Sequence, residues 1–159
     1  MIDPSEFRRV MGHFASGLAV VTTARPDGTP CGLTASAVCS VSLQPTLLLV
    51  CVERTSDTHA CIERCGSFAI NVLPEGKGET LARRFAAWEV GDKFQGVAFR
   101  KEHTGAPVLD GALAWLDCRV HGECAGGDHT VFVGEVLAAG SGEGVPLVYY
   151  RGGYGGFAP

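Results

Sequence analysis

Hydrophobic and polar positions along the chain predict more strands than helices. Apolar residues recur at helical spacing over 3–14 and 78–88, and Asp3 is suited to cap the first of these helices. A shorter helix is predicted over 56–65, where Gly66 ends it. Short apolar runs bounded by turn residues predict strands over 18–24, 31–34, 36–42, 46–53, 67–73, 116–124, 129–139 and 146–150.

Short turns join most of the predicted strands. Asp27 and Gly28 form the tip of a predicted hairpin, and Pro45 marks a break between two further strands. Connections of this kind favour antiparallel pairing over alternating strands and helices. We therefore predict one mainly β domain over residues 1–159, a closed or nearly closed antiparallel barrel with a few peripheral helices.

One predicted strand, 116–124, alternates between apolar and polar side chains. Leu116, Cys118 and Val120 are expected to face the core, whereas Asp117 is among the side chains expected in water. A period of two is typical of a strand with one buried face and one solvated face.

Composition and charge exclude several classes of partner. Hydrophobic residues make up 46% of the chain and charged residues 19%, with a formal net charge of −4, so a basic surface for nucleic acid is not expected. The longest apolar run, 46–52, is too short to span a bilayer. The first residues lack the basic flank and apolar core of a signal peptide, and we expect a cytoplasmic protein.

The chain has seven cysteines, at positions 31, 39, 51, 61, 65, 118 and 124. Their number is odd, no C-x2-C pair occurs, and most lie in apolar strand-like runs. We interpret them as reduced side chains that act as small buried hydrophobic groups, and we predict no metal site.

Three common motifs of catalytic sites do not occur in the sequence. It has no G-x-S-x-G elbow, no H-E-x-x-H pair and no phosphate-binding loop that ends in Gly-Lys-Ser/Thr. The glycine-rich run 151–157 is not followed by a predicted helix that would bind a pyrophosphate. The chain is therefore either not an enzyme or one in which a cofactor carries the reaction.

Two segments nevertheless contain candidate binding residues. Residues 32–42 combine small side chains with hydroxyls such as those of Thr34 and Ser36, so a flat ligand can approach the backbone. An ordinary packed strand explains the same composition, and the residues alone favour it. Asp128 and His129 follow a glycine pair, which is either a capped turn or a histidine presented at the end of a strand. Here too the residues alone favour the simpler interpretation, the turn.

Taken together, several segments resemble the short-chain flavin reductases, the reductase components of two-component flavin-dependent monooxygenases. The matching segments, in the order typical of the family, are FASGLAVVTT (14–23), GLTASAVCSVSLQPTLLLVCV (32–52), FAINVL (68–73), DKF (92–94), GDHTVFVGEV (127–136) and PLVYYRGGY (146–154). The resemblance implies an antiparallel split β-barrel of the FMN-binding type, with a few peripheral helices.

The resemblance also implies a flavin site. It assigns Thr34, Ala35, Ser36, Ser40, Val41 and Ser42 to the ring and ribityl chain, and Cys51 and Val52 to positions beside the ring. It assigns Arg54, Thr55, Ser56 and Thr58 to a phosphate-binding turn at the start of a helix, where free amide groups attract phosphate. Lys93 and Phe94 match a pair that closes over the flavin.

His129 matches a histidine that the family associates with the nicotinamide nucleotide, and Asp128 is expected to remain a turn residue. The residues implied to bind NADH beside His129 are Tyr149, Arg151, Gly152 and Tyr154. The family commonly has two prolines where this chain has Pro45 and Thr46. We expect this departure to alter only the entry into the next strand.

The function implied by the resemblance is that of an NAD(P)H:flavin oxidoreductase. Hydride passes from NADH, in preference to NADPH, to FMN or FAD, and reduced flavin is supplied to a partner monooxygenase. A homodimer is expected, with no nucleic-acid or membrane partner. Three alternatives remain open: an electron-transfer split barrel with permanently bound flavin, a non-catalytic flavin-binding or sensor module, and an interaction barrel without a cofactor.

Overall fold

The computed structural model describes residues 1–88 and 91–158. The helices in these residues are α1 (Pro4–Met11), α2 (Asp57–Cys65) and α3 (Lys77–Ala86). The strands are β1 (Ser16–Gly17), β2 (Ala19–Ala24), β3 (Pro30–Ala35), β4 (Val38–Leu43), β5 (Thr46–Glu53), β6 (Ser67–Val72), β7 (Phe99–Lys101), β8 (Pro107–Leu109), β9 (Ala114–Gly126), β10 (His129–Ser141), β11 (Leu147–Tyr150) and β12 (Gly153–Gly156). None of the helices described is long and apolar enough to cross a membrane.

Seven strands form the main sheet, in the order β3-β2-β6-β9-β10-β5-β4, and each neighbouring pair is antiparallel. Its two edge strands, β3 and β4, are consecutive in the chain and are joined only by Ser36 and Ala37. Two linking residues span a short distance, so the connection holds the two edges of the sheet close together. This is the arrangement of a split barrel.

The two larger apolar cores of the described residues lie on opposite sides of β2. Val21 packs with Phe68, Val50 and other fully buried residues inside the main sheet. Val20, the preceding residue, packs on the other side with Phe85 of α3 and a second cluster. Successive side chains of a strand point to opposite faces, and β2 is therefore buried on both.

The predicted helices and the longer strands are present, with ends within a few residues of those expected. The described strands that the hydrophobic pattern did not indicate are β1, β7, β8 and β12. Three of the four residues of β12 are glycine, so this strand has no alternation of apolar and polar side chains to detect.

Asp117 does not lie in water as the alternation predicted, but is fully buried. The segment before β8 covers this side chain. Thr104 in that segment donates two hydrogen bonds to the Asp117 carboxylate, one of 2.7 Å from its amide and one from its hydroxyl. The alternation of apolar and polar residues shows which side chains share one face of a strand, but it does not show whether a loop packs on that face.

The interpretation of the cysteines as buried hydrophobic groups is correct for only part of the set. Cys31, Cys61 and Cys118 are buried, whereas Cys39 and Cys124 are exposed. All seven are free thiols.

Candidate functional site

A cleft of about 700 Å³ lies between β3, the beginning of α2 and the segment that follows α3. Many residues of the predicted flavin site line it together with the predicted nucleotide histidine. These are Thr34, Ala35, Ser36, Cys51, Thr55, Ser56, Thr58, Lys93, Phe94 and His129. Segments far apart in the chain therefore converge on one concave surface of a size usual for ligand sites.

The other predicted site residues do not line this cleft. Ser40, Val41 and Ser42 lie further along the edge strand β4, and the Val52 side chain is buried in the core. Arg54 is exposed, and its Nε donates a 3.4 Å hydrogen bond to the Thr130 hydroxyl. The predicted NADH residues lie on the β11–β12 hairpin: Tyr149, Arg151, Gly152 and Tyr154.

The first turn of α2 presents polar groups to the cleft. Ser56 caps the helix, since its hydroxyl oxygen accepts a hydrogen bond of 3.1 Å from the His59 amide. The Ser56 hydroxyl also donates to the Glu53 carbonyl oxygen at 2.8 Å. The first amides of a helix have no acceptor within the helix and carry partial positive charge. This end of the cleft is suited to an anion.

The wall of the cleft formed by β3 is held close to α3. The Thr34 hydroxyl donates a 2.7 Å hydrogen bond to the Ala82 carbonyl oxygen. A Cβ atom at Gly32 would lie 2.9 Å from the ring of Phe85. Glycine at position 32 is therefore required for the close approach of helix and strand.

Lys93 and Phe94 fix the segment that borders the opening of the cleft. The Lys93 ammonium donates a 3.0 Å hydrogen bond to the Phe85 carbonyl oxygen at the end of α3. Partial burial lowers the pKa of Lys93, because the charged ammonium loses hydration. The Phe94 ring packs edge-on against Phe85, with centroids 4.9 Å apart.

His129 begins β10 at one side of the cleft, with its side chain 41% exposed. Its Nδ1 donates a 2.7 Å hydrogen bond to the Asp128 carboxylate, which lowers the pKa of Asp128. The Asp128 carbonyl oxygen accepts a hydrogen bond from the Arg54 amide. Asp128 lies in the turn before β10, as expected, and its carboxylate also holds the imidazole through Nδ1.

Several cleft residues were not predicted from the sequence. They are Arg25, Cys31, Glu53, Asp57, Trp88 and Asp92, among others. Asp57 and Asp92 adjoin predicted site residues, so their positions in the chain offered a signal. Nothing in the local sequence indicated Arg25, which reaches the cleft from the β2–β3 hairpin.

The chain matches the family model described as the flavin reductase like domain over residues 11–158. The reductase component of 4-nitrophenol 4-monooxygenase/4-nitrocatechol 2-monooxygenase from Rhodococcus opacus is 47% identical over 158 residues, covering 99% of this chain and 83% of that protein. A flavin reductase (NADH) from Kitasatospora aureofaciens is 43% identical, with coverage of 97% and 82%.

Among solved structures, the chain is similar to an NADH:FAD oxidoreductase of Streptomyces globisporus in complex with NAD and FAD fragments. The TM-score is 0.89 at 37% identity, and the match covers 100% of this chain and 97% of that one. The predicted split barrel and the predicted flavin reductase activity are both confirmed, the latter in preference to a non-catalytic flavin-binding barrel. The chain belongs to the flavin reductase-like domain family.

Proposed function

We propose that the cleft binds FAD or FMN and that the bound flavin is reduced by NADH, in preference to NADPH. The observation that carries this proposal is the convergence of β3, the first turn of α2 and His129 on one cleft. Reduced flavin then leaves for a partner monooxygenase, as expected for a chain similar to reductase components of such enzymes.

The described residues fit a flavin. Small side chains at Ala35 and Ser36 allow a flat ring to approach the backbone at the edge of the sheet. At the other end of the cleft, the first turn of α2 provides amide groups for a phosphate or pyrophosphate. We propose that Thr55, Ser56 and Thr58 bind this group. Lys93 and Phe94 then cover the flavin from the segment after α3.

A bound flavin supplies the redox chemistry, because it accepts a hydride from the reduced nicotinamide. The task of the protein is to hold two rings in contact and to leave one flavin face open. We propose that His129 Nε2 binds the nucleotide, since Nδ1 is occupied by Asp128. Supporting roles in nucleotide binding are proposed for Tyr149, Arg151, Gly152 and Tyr154.

We propose that the active form is a homodimer in the cytoplasm. Helix α1 exposes Phe7, Val10 and Met11, of which Phe7 is 55% exposed, and Leu43 on the edge strand is 86% exposed. Apolar side chains clustered on a surface are typical of an interface between subunits. Free thiols throughout the chain fit a reducing compartment.

Steady-state assays with NADH and NADPH against FMN, FAD and riboflavin test the proposed activity. Replacement of His129 by Ala should raise the KM for NADH about tenfold, the loss of roughly 1.4 kcal/mol of binding, and should leave the Kd for flavin unchanged. The matched control is His121→Ala, because His121 is exposed on the neighbouring strand β9. Wild-type protein that oxidises NADH with none of the flavins would contradict the proposal.

A further inference from the structure

Cys31 and Cys61 form a pair of contacting thiols at the wall of the main cleft. Their sulfur atoms lie 2.8 Å apart, and both side chains are buried. Cys31 belongs to β3 and lines the main cleft, whereas Cys61 belongs to α2 and lines a smaller pocket of about 130 Å³. The pair thus joins the wall that we assign to the flavin ring and the helix that we assign to its phosphate.

The surroundings of the two sulfur atoms differ. The Nε of Arg25 donates a hydrogen bond to the Cys31 sulfur at 3.3 Å, and Cys31 lines the main cleft. Burial raises the pKa of Cys61 to about 12, so this group remains a thiol. Cys31 is the side chain suited to react first with an oxidant, because it lines the main cleft, and Cys61 is suited to respond because its sulfur lies 2.8 Å away.

We propose that hydrogen peroxide converts Cys31 and Cys61 into a reversible disulfide that links β3 to α2. The Cys31 sulfur attacks peroxide and breaks the O–O bond, and the hydroxide that leaves takes up the proton lost by the Cys31 thiol, so that a sulfenic acid and one water form. The Cys61 sulfur then displaces the sulfenic hydroxyl. The Cys61 proton and this hydroxyl leave as water. In total, two thiols and one peroxide give one disulfide and two waters.

The flavin chemistry of the family provides an oxidant at this place. Reduced flavin that meets dioxygen in water returns to oxidised flavin and forms hydrogen peroxide. Cys31 lines the cleft in which we place the flavin, so peroxide formed at the flavin is released close to its side chain. This source of peroxide rests on the proposed function, whereas the reactivity of the pair with added peroxide does not.

The disulfide would act on the phosphate end of the cleft. Cys61 lies about 1.4 helical turns after Ser56 and about 0.8 turn after Thr58, so we expect a covalent link at Cys61 to shift the first turn of α2 relative to β3. A misplacement of roughly 1 Å in an active site can lower the rate of an oriented reaction on the order of a hundredfold. We expect the oxidised protein to bind flavin about tenfold more weakly, which would slow production of reduced flavin while peroxide accumulates.

Peptide mapping of the full chain tests the proposal. Protein without flavin or NADH is treated with hydrogen peroxide, alkylated and digested, and we expect a Cys31–Cys61 peptide about 2 Da lighter than its reduced parts. Dithiothreitol should remove the link and restore the Kd for FMN and FAD. The double variant C39S/C124S, which lacks the exposed thiols, should form the same link, and C31S and C61S should not.

A link between other cysteines, or sulfinic acid at Cys31 beside a free Cys61 thiol, would overturn the proposal. If the protein with the disulfide had the same Kd for flavin as the reduced protein, the proposed effect of the disulfide on flavin binding would be overturned. A second arm replaces added peroxide by NADH, flavin and dioxygen, with and without catalase. Failure of this arm alone, with the link still formed by added peroxide, would count against the proposed reductase activity and not against the thiol pair.

Discussion

The imidazole Nε2 of His59 and the hydroxyl of Thr130 share a hydrogen bond of 2.7 Å in the interior of the protein. Both side chains are buried, His59 to 5% exposure and Thr130 to 4%. His59 is in the first turn of α2, and Thr130 directly follows His129 on β10. The bond therefore connects the proposed phosphate end of the cleft with the proposed nucleotide side.

Replacement of Thr130 by Val should weaken this connection. Valine has the shape of threonine but leaves Nε2 of His59 without its partner in a buried position, which costs roughly 1–3 kcal/mol. We expect a loss of this size in the free energy of unfolding by urea, together with a higher KM for NADH. Thr130→Ser, which keeps the hydroxyl, should restore most of the KM, and a KM equal in the Val and Ser variants would contradict the positioning role.

Replacement of Asp128 by Ala should release the ring of His129. The imidazole loses its 2.7 Å partner and samples more orientations, so we expect a higher KM for NADH than in the wild type and a smaller rise than in His129→Ala. The Kd for flavin should not change. Kinetics at neutral pH measure the effect, and the double variant lacking both side chains should be no worse than His129→Ala alone.

Replacement of Asp117 by Ala should destabilise the fold without affecting the cleft. The Thr104 amide and hydroxyl lose a buried acceptor, which costs roughly 1–3 kcal/mol. Urea unfolding measures the loss, and His121→Ala on the same strand serves as the exposed control. Equal midpoints for the two variants would mean that the buried carboxylate does not contribute to stability.

The stability of the protein should fall at alkaline pH because of Cys118. The pKa of this thiol is raised from 9.0 to about 12. Burial is the larger cause, and the nearby negative charge of Asp117 is the smaller one. Between these values the unfolded chain loses a proton that the folded protein retains, so unfolding becomes more favourable as pH rises above 9.0. One such thiol contributes a slope of at most about 1.4 kcal/mol per pH unit.

Urea unfolding at several alkaline pH values measures this slope. Cys118→Ala should be less stable than the wild type near neutral pH, because it leaves a small cavity, but its stability should fall less steeply above pH 9. Parallel curves for the two proteins would exclude Cys118 as the source. Cys61, whose pKa is also raised to about 12, contributes equally to both proteins.

Replacement of Gly134 by Ala should disturb the main core. A Cβ atom at this position would lie 2.5 Å from the Phe68 ring and 2.9 Å from the Cys118 Cβ, so side chains must shift. Overpacking of this kind costs roughly 1–3 kcal/mol. Thermal and urea unfolding measure the cost. Gly122→Ala on the adjoining strand, where a Cβ meets no atom within 4 Å, should have little effect and is the matched control.

Local chemistry in the sequence determined where most elements begin and end. Asp3 and Ser56 cap their helices, Gly66 closes α2 in a left-handed conformation, and the turn at Asp27 and Gly28 produces the β2–β3 hairpin. Each of these features depends on residues a few positions apart, and the side chains involved have strong preferences for caps and turns.

The sequence by itself thus determined an antiparallel β protein with three helices and, through its resemblance to a family, a candidate flavin site. Only the tertiary structure decided which of those residues share a cleft: His129 and Ser56 do, whereas Val52 faces the core. It also decided the burial of Asp117 and the contact between Cys31 and Cys61. The physical reason is that contacts between distant segments depend on sheet order and loop packing, whereas periodicity and capping report only on residues near in sequence.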